Sequence, residues 1–249
     1  MLEIKNISKS FGGLMALRDI SLDVAERQIY GLIGPNGAGK TTLFNLITGY
    51  YPATEGAIRF FGQEITGLRA HKIARLGIAR TFQNIRLFGT MTVKENIQVA
   101  QNIHARSGVS SLFQMYSARE RRLRQEADEL MNRLGLWEKR DEQSPSLSYG
   151  EQRRLEIARA LALKPKLLLL DEPAAGMNEA ESADLLERIR ELRETGITVL
   201  LIEHDMKVVM GICDRIAVLS FGELITQGTP EEIQANDAVI DAYLGREDD

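Results

Sequence analysis

Cysteine is almost missing from this chain of 249 residues: Cys213 is the only one, so no disulfide forms within it and scaffolds built on paired cysteines are excluded. One tryptophan, six prolines and an aromatic share of 6% leave no material for a proline-rich or aromatic-repeat segment. Apolar runs are short. The densest, Leu167-Leu168-Leu169-Leu170 and Val199-Leu200-Leu201-Ile202, are strand-sized and end in charge, far from the roughly 20 residues that cross a bilayer. The start Met1-Leu2-Glu3-Ile4-Lys5 lacks the apolar stretch of a secretory signal, so the expected location is cytoplasmic. An excess of either charge is missing too: 31 Lys+Arg stand against 35 Asp+Glu, for a net charge of −4, which argues against nucleic acid as a partner. Heptad runs, internal repeats and low-complexity tracts do not occur.

What is present is an ordinary globular composition, 44% hydrophobic and 27% charged, over a length suited to one large α/β domain or two modest ones. The first sixty residues read as strands at 2–11, 16–24 and 57–61, with a compact apolar strand at 28–33 leading into glycine-rich sequence and a helix over 42–48. Between 84 and 163 strand signals nearly vanish, and 92–105, 117–134 and 150–163 carry helical spacing, which predicts a helical insert. Strand and helix then alternate: strand 166–170, helix 179–194, strand 197–202, helix near 206–210, strands near 215–219 and 223–226. Such alternation predicts a parallel sheet.

Two signals carry chemistry. Gly34-Pro35-Asn36-Gly37-Ala38-Gly39-Lys40-Thr41 fits the spacing G-x-x-x-x-G-K-[ST] and lies between the strand at 28–33 and the next helix, where backbone N–H groups can cradle phosphate oxygens. Lys40 is expected to reach the β- and γ-phosphates of a nucleotide and Thr41 to offer its hydroxyl to Mg²⁺. Independently, the strand 167–170 ends in Asp171-Glu172-Pro173, carboxylates at the edge where parallel sheets bind ligands; Asp171 would hold Mg²⁺ and Glu172 would orient or deprotonate the attacking water. His204 follows the strand 199–202 in the same way and is expected near the γ-phosphate. His71 and His104 have no such setting.

Leu147-Ser148-Tyr149-Gly150-Glu151-Gln152 and the following Arg153 to Ala160 resemble the signature motif and helix of the ATP-binding-cassette family. Gln83 in Thr81-Phe82-Gln83, the phosphate loop, the Asp171-Glu172 pair and His204 complete that family's motifs in order. The resemblance implies a P-loop NTPase with a RecA-like core, an antiparallel β subdomain and an inserted α-helical subdomain. On that reading the core with its β subdomain takes residues 1–83 and 164–249, and the helical subdomain 84–163. It implies an ATPase using ATP and Mg²⁺, with Glu172, His204, Gln83 and Lys40 in catalysis and Thr41, Gln83 and Asp171 on the metal. Nucleotide contacts are expected from Phe11, Gly34, Pro35, Asn36, Gly37, Ala38, Gly39, Lys40, Thr41 and Thr42, and from Ser148 and Gly150 across a dimer of cassettes. Phe11 would stack on adenine.

Four segments, at 12–17, 80–88, 172–178 and 202–210, are similar to ATPase subunits of bacterial branched-chain amino acid importers. This implies a peripheral place on the inner face of the plasma membrane, a second, related ATPase subunit, two transmembrane permeases and, indirectly, an extracytoplasmic solute-binding protein. Residues 84–100 would dock a permease helix. The same role for another solute, such as urea, an amide or other amino acids, is the first rival; a non-transport cassette in DNA repair or on the ribosome, and a regulatory module without hydrolysis, are the others. Two departures stand out. Tyr149 replaces the first glycine of the usual signature, so any conformation there with positive φ would be strained. Asn178 stands where most cassettes have Asp, removing a charge from an expected cross-dimer contact. The run Arg119, Arg121, Arg122 and Arg124, laced with Glu120 and Glu126, reads as a solvated helix face rather than a lipid-binding one.

Overall fold

The computed structural model describes residues 1–101 and 113–244. Strands β1 (Leu2–Phe11), β2 (Leu14–Val24), β4 (Glu55–Phe60) and β5 (Gln63–Glu64) form an antiparallel sheet in the order β2-β1-β4-β5. The second sheet contains β3 (Ile29–Ile33), β6 (Ile78–Arg80), β7 (Leu167–Asp171), β8 (Thr198–Ile202), β9 (Arg215–Ser220) and β10 (Glu223–Gly228), in the order β10-β9-β3-β8-β7-β6. From β9 to β6 every pairing is parallel; only β10 is antiparallel, at one edge.

The strand period decides which residues enter which core. Ile29, Ile33, Leu168, Leu170, Val199 and Leu201 pack into one apolar cluster, while their alternates Tyr30, Leu32, Leu167, Leu169, Leu200 and Ile202 pack into the other. A sheet buried on both faces explains why β3, β7 and β8 are buried at every position and read as unbroken apolar runs. The antiparallel sheet and α1 (Lys40–Ile47) supply the partners of the second cluster.

Helices α3 (Val93–Gln101), α4 (Phe113–Arg133) and α5 (Tyr149–Leu161) pack on one another and on the first cluster, where Val93, Ile97, Met131, Leu155 and Ala158 join Leu168 and Leu170. Helix α6 (Glu179–Glu194) links β7 to β8, and α7 (Met206–Ile212) links β8 to β9. Asn178 caps α6 and Glu181 bonds back to the Asn178 N–H, so the uncharged residue noted in the sequence starts a helix here.

Several boundaries differ from the expected ones. Helix α1 begins at Lys40, two residues before the predicted start, because Gly39 adopts φ 101° and serves as its N-cap. Strand β7 extends through Asp171, which pairs with Ile202. The short β6 was not expected: three residues carry no period, and its identity comes from the ladder to β7. Helices α2 (Ala70–Leu76), α8 (Pro230–Gln234) and α9 (Asp237–Leu244) were likewise unforeseen. The end of the predicted helix 92–105, with His104, lies outside the described residues. On α4, Arg122 pairs with Glu126 and Arg124 with Glu120 at i,i+4 spacing, as a solvated helix face requires. Among the described residues no helix is long and apolar enough to cross a membrane.

Candidate nucleotide-binding site

Every loop carrying a predicted catalytic residue leaves the same edge of the parallel sheet. Gly34 follows β3, Gln83 follows β6, Glu172 follows β7, His204 follows β8 and Phe221 follows β9, all at C-terminal strand ends. Segments far apart in sequence therefore meet because the strands are parallel.

The phosphate loop folds around its own lysine. Lys40 is 8% exposed, and its Nζ donates to the carbonyls of Gly34 at 2.6 Å and Pro35 at 3.0 Å. Burial pushes its ammonium pKa down, with Glu172 and Asp171 pulling it back up. Glycine is required at two positions. A Cβ on Gly34 would stand 2.0 Å from the Leu219 carbonyl oxygen, and one on Gly39, at positive φ, 2.6 Å from Leu17 Cδ2. The loop opens on a cleft of about 420 Å³ lined by Asn36, Gly37, Ala38, Gly39, Lys40, Thr41 and Thr42, by Gln83 and Glu172, and by Leu14, Met15, Ala16 and Phe221.

The two adjacent carboxylates have different surroundings. Asp171 is buried and accepts from Arg80 Nη2 at 2.8 Å, in a pair with both side chains under 10% exposed. Arg80 also donates to Asn45 Oδ1 at 2.6 Å, with its guanidinium 5.4 Å from the Phe44 ring centre and 5.2 Å from that of Phe82. The sequence reading missed this residue, though it sits immediately before the Thr81-Phe82-Gln83 motif. Glu172 turns the chain at φ 48°, a left-handed value that costs a non-glycine residue of order 1–3 kcal/mol and that clusters at functional sites. Its N–H donates to Ile202 O at 2.9 Å, its Oε2 accepts from Gln83 Nε2 at 3.1 Å, and its Oε1 lies 3.8 Å from His204 Nδ1. Lys40, Gln83 and Glu172 thus line one cleft, and His204 stands on the far side of Glu172, bordering a second cleft with Glu203 and Ala174.

Beneath His204 lies a second residue the sequence reading passed over. Glu203, 1% exposed, accepts from the N–H of Ala174 at 3.2 Å and from that of His204 at 3.3 Å, tying the loop after Glu172 to the histidine. Burial pushes its carboxyl pKa up.

Of the predicted residues, Phe11, Gly34, Pro35, Ser148, Gly150, Asp171 and His204 are not on the cleft wall. Ser148 and Gly150 do not line this cleft. Ser148 is the exposed N-cap of α5, with its Oγ accepting from the Glu151 N–H while Glu151 bonds back. Tyr149 is the first residue of α5 and is not among those with positive φ, so the strain considered for it does not arise. Phe11 does not line the cleft either. Its ring meets Tyr51 edge-on at 5.3 Å and has Lys9 Nζ 4.7 Å from its centre, whereas the aromatic on the cleft wall is Phe221, 95% exposed.

A buried lysine wrapped by its own glycine loop, with carboxylates at the end of a strand two places along the same parallel sheet, defines the class: a P-loop nucleotide-binding protein. A family model described as ABC transporter matches residues 17–175, and one described as branched-chain amino acid ATP-binding cassette transporter matches residues 223–249. The chain belongs to the ATP-binding-cassette transporter ATPases, whose activity is ATP hydrolysis. It is 49% identical to the high-affinity branched-chain amino acid transport ATP-binding protein BraF of Pseudomonas aeruginosa and 47% identical to LivG of Escherichia coli K12, with 98% of each chain covered. Among solved structures, a nucleotide-free ATP-binding cassette from an ABC transporter matches at TM-score 0.86 and 33% identity, over 99% of both chains. A dimeric cassette in a post-hydrolysis state with ADP and Pi matches at TM-score 0.78 and 27% identity, over 92% of this chain and 99% of that one.

Proposed function

We propose that this chain hydrolyses ATP to drive import of branched-chain amino acids, as a peripheral subunit on the inner face of the plasma membrane. The observation that carries the hydrolytic part is the convergence of Lys40, Gln83 and Glu172 on one cleft at the sheet edge, with His204 3.8 Å from Glu172 on its other side. Phosphoryl transfer to water needs mainly positioning and charge neutralisation. Lys40 and the loop N–H groups hold the phosphates, Glu172 accepts a proton from the attacking water, and Gln83 and His204 hold that water and the γ-phosphate in line. Phe11, which stands off the cleft wall against Tyr51 and Lys9, is assigned to the adenine on the family resemblance alone.

The donor chemistry fits Mg²⁺, since Thr41 offers a hydroxyl, Asp171 a carboxylate and Gln83 an amide oxygen, all hard oxygen ligands. Among the described residues no group of three or more His, Cys, Asp or Glu is arranged to hold a metal ion, so the protein would supply only part of the shell and phosphate oxygens and water the rest. When bound, the ion neutralises charge on the β- and γ-phosphates.

Ser148 and Gly150 reach a phosphate only if a second cassette presents them, because in their own chain they lie away from the cleft. The free N–H groups and positive end of α5 suit an anion arriving from that partner. A second cleft, of about 450 Å³ and lined by Arg86, Phe88, Val99, Ala100, Arg159 and Leu163, receives a permease helix. The solute follows from the relatives' names and the match over 223–249, because a cassette does not touch what is carried. Uptake of labelled leucine, isoleucine and valine by proteoliposomes holding the assembled complex tests the assignment. ATP-dependent uptake of these three is expected; uptake of urea or an amide instead would replace the solute, and absence of phosphate release would remove the ATPase role.

A further inference from the structure

Gln83 lies on a segment that leaves β6 at Arg80 and reaches α3 at Val93 without a helix or strand of its own. Such a segment keeps one shape only if its backbone groups are tied to something rigid. Thr81 is held by the Leu169 carbonyl and Phe88 by Asn96 and Ser144, but between them the ties at Phe82, Gln83 and Arg86 come from α5. Arg153 is 0% exposed; its Nη1 donates to Phe82 O at 2.7 Å and to Glu156 Oε2 at 2.9 Å, and its Nη2 donates to Gln83 O at 2.9 Å and to Tyr149 Oη at 3.3 Å. Glu156, one helical turn on, accepts at Oε1 from the N–H groups of Phe82 at 3.4 Å and Arg86 at 3.3 Å. One partner thus serves the carbonyls of the Gln83 segment and the other its amides. Arg153 Nε has no hydrogen-bond partner, so the guanidinium is held through its two terminal nitrogens.

Stability is a poor reason for this pair. A buried ion pair is often no better than a well-packed apolar replacement, because desolvation offsets the attraction. What the pair supplies is direction: the flat guanidinium fork fixes two carbonyls at once in a way a flexible apolar contact does not. Tyr149 extends the contact further. Its ring centre is 5.9 Å from the Arg153 guanidinium, and its Cε1 stands 3.2 Å from where a Cβ on Gly176 would be, in the loop that follows Glu172.

We propose that the buried Arg153–Glu156 pair is a positioning element for hydrolysis, clamping the backbone of Phe82, Gln83 and Arg86 to the signature helix so that Gln83 moves with α5. The inference rests on Gln83 serving the water and γ-phosphate as proposed above. It makes each chain's two contributions one rigid unit: the Gln83 side chain for its own cleft and the α5 N-terminus for the partner's.

The test is the double variant Arg153→Met, Glu156→Leu in the full chain, which fills the space without leaving a charge unpaired. The expected result is a folded protein with unchanged ATP affinity and KM, a kcat in the assembled complex lowered by up to about 10²-fold as for a misplaced catalytic group, and faster hydrogen exchange at the Phe82 and Arg86 amides but not in the phosphate loop. Glu156→Gln, which keeps one acceptor oxygen for the Phe82 and Arg86 amides but loses the one that Arg153 uses, keeps a rate between that of the double variant and that of the unsubstituted chain. Arg153→Lys, whose single ammonium cannot copy the fork, falls between; it decides the matter by its kcat should the double variant not fold. A normal kcat in the folded double variant, or unchanged exchange at Phe82 and Arg86, overturns the proposal. If the unsubstituted complex releases no phosphate, the ATPase reading fails instead, while the exchange measurement still reports on the clamp.

Discussion

The chain presents two surfaces to ATP, and they differ in how far one chain completes them. At the phosphate loop, Lys40 is buried on the carbonyls of Gly34 and Pro35, Asp171 is paired with Arg80, and Glu172 already touches Gln83. At the signature helix, Ser148 is exposed, its hydroxyl engaged only in its own helix cap, and no residue of the nucleotide cleft faces it. The difference lies in where charge can be stored. A buried lysine near two carboxylates is stable because each compensates the other's desolvation, whereas a helix N-terminus carries only partial charge, left solvated until an anion arrives. One surface is set before binding; the other depends on assembly.

Substitutions on each side should separate the two. The largest effect is expected from Glu172→Gln: nucleotide binding retained, and turnover in the assembled complex reduced by about 10²–10⁴-fold, the range for loss of a general base. Near-normal phosphate release would show that the completed surface does not hold the catalytic group. Next comes Arg80→Ala, which leaves Asp171 buried without its partner and should cost about 3–5 kcal/mol in urea unfolding. A loss under about 1 kcal/mol would place the pair with exposed ones. Lys40→Ala removes a charge-assisted contact to phosphate and should weaken ATP binding by about 1.5–3 kcal/mol, read by calorimetry on the single chain; unchanged affinity would contradict the site. The smallest effect belongs to the other surface. Ser148→Ala should cost about 0.5–2 kcal/mol of stability through the lost cap, leave single-chain ATP affinity unchanged, and lower hydrolysis only where two cassettes meet. A fall in single-chain affinity would erase the distinction between the surfaces.

Legibility followed how locally each feature is encoded. The phosphate loop could be read because its glycines, lysine and threonine are consecutive and their spacing carries the geometry; the strands β7 and β8 could be read because burial on both faces demands unbroken apolar runs. Arg80 could not be assigned a partner, since Asp171 lies 91 residues away and nothing local selects it. Glu203 looked like one acidic residue beside a histidine; its role depends on the Ala174 N–H, brought to it by the neighbouring strand. Phe221 carried no periodic signal at all, and its place on the cleft wall comes from the turn after β9.

By itself the sequence determined the family, the nucleotide loop, the carboxylates and the division into an alternating core and a helical stretch, because each rests on residue types at fixed short spacings. Tertiary structure alone decided which of those residues meet. It showed Arg80 on Asp171, Glu203 beneath His204 and the Arg153–Glu156 pair on the Gln83 segment. It also placed Ser148 and Gly150 away from their own chain's cleft. The physical reason is that a buried charge is stable only beside a compensating group, and which group stands there is set by strand order and helix packing rather than by neighbours in the chain.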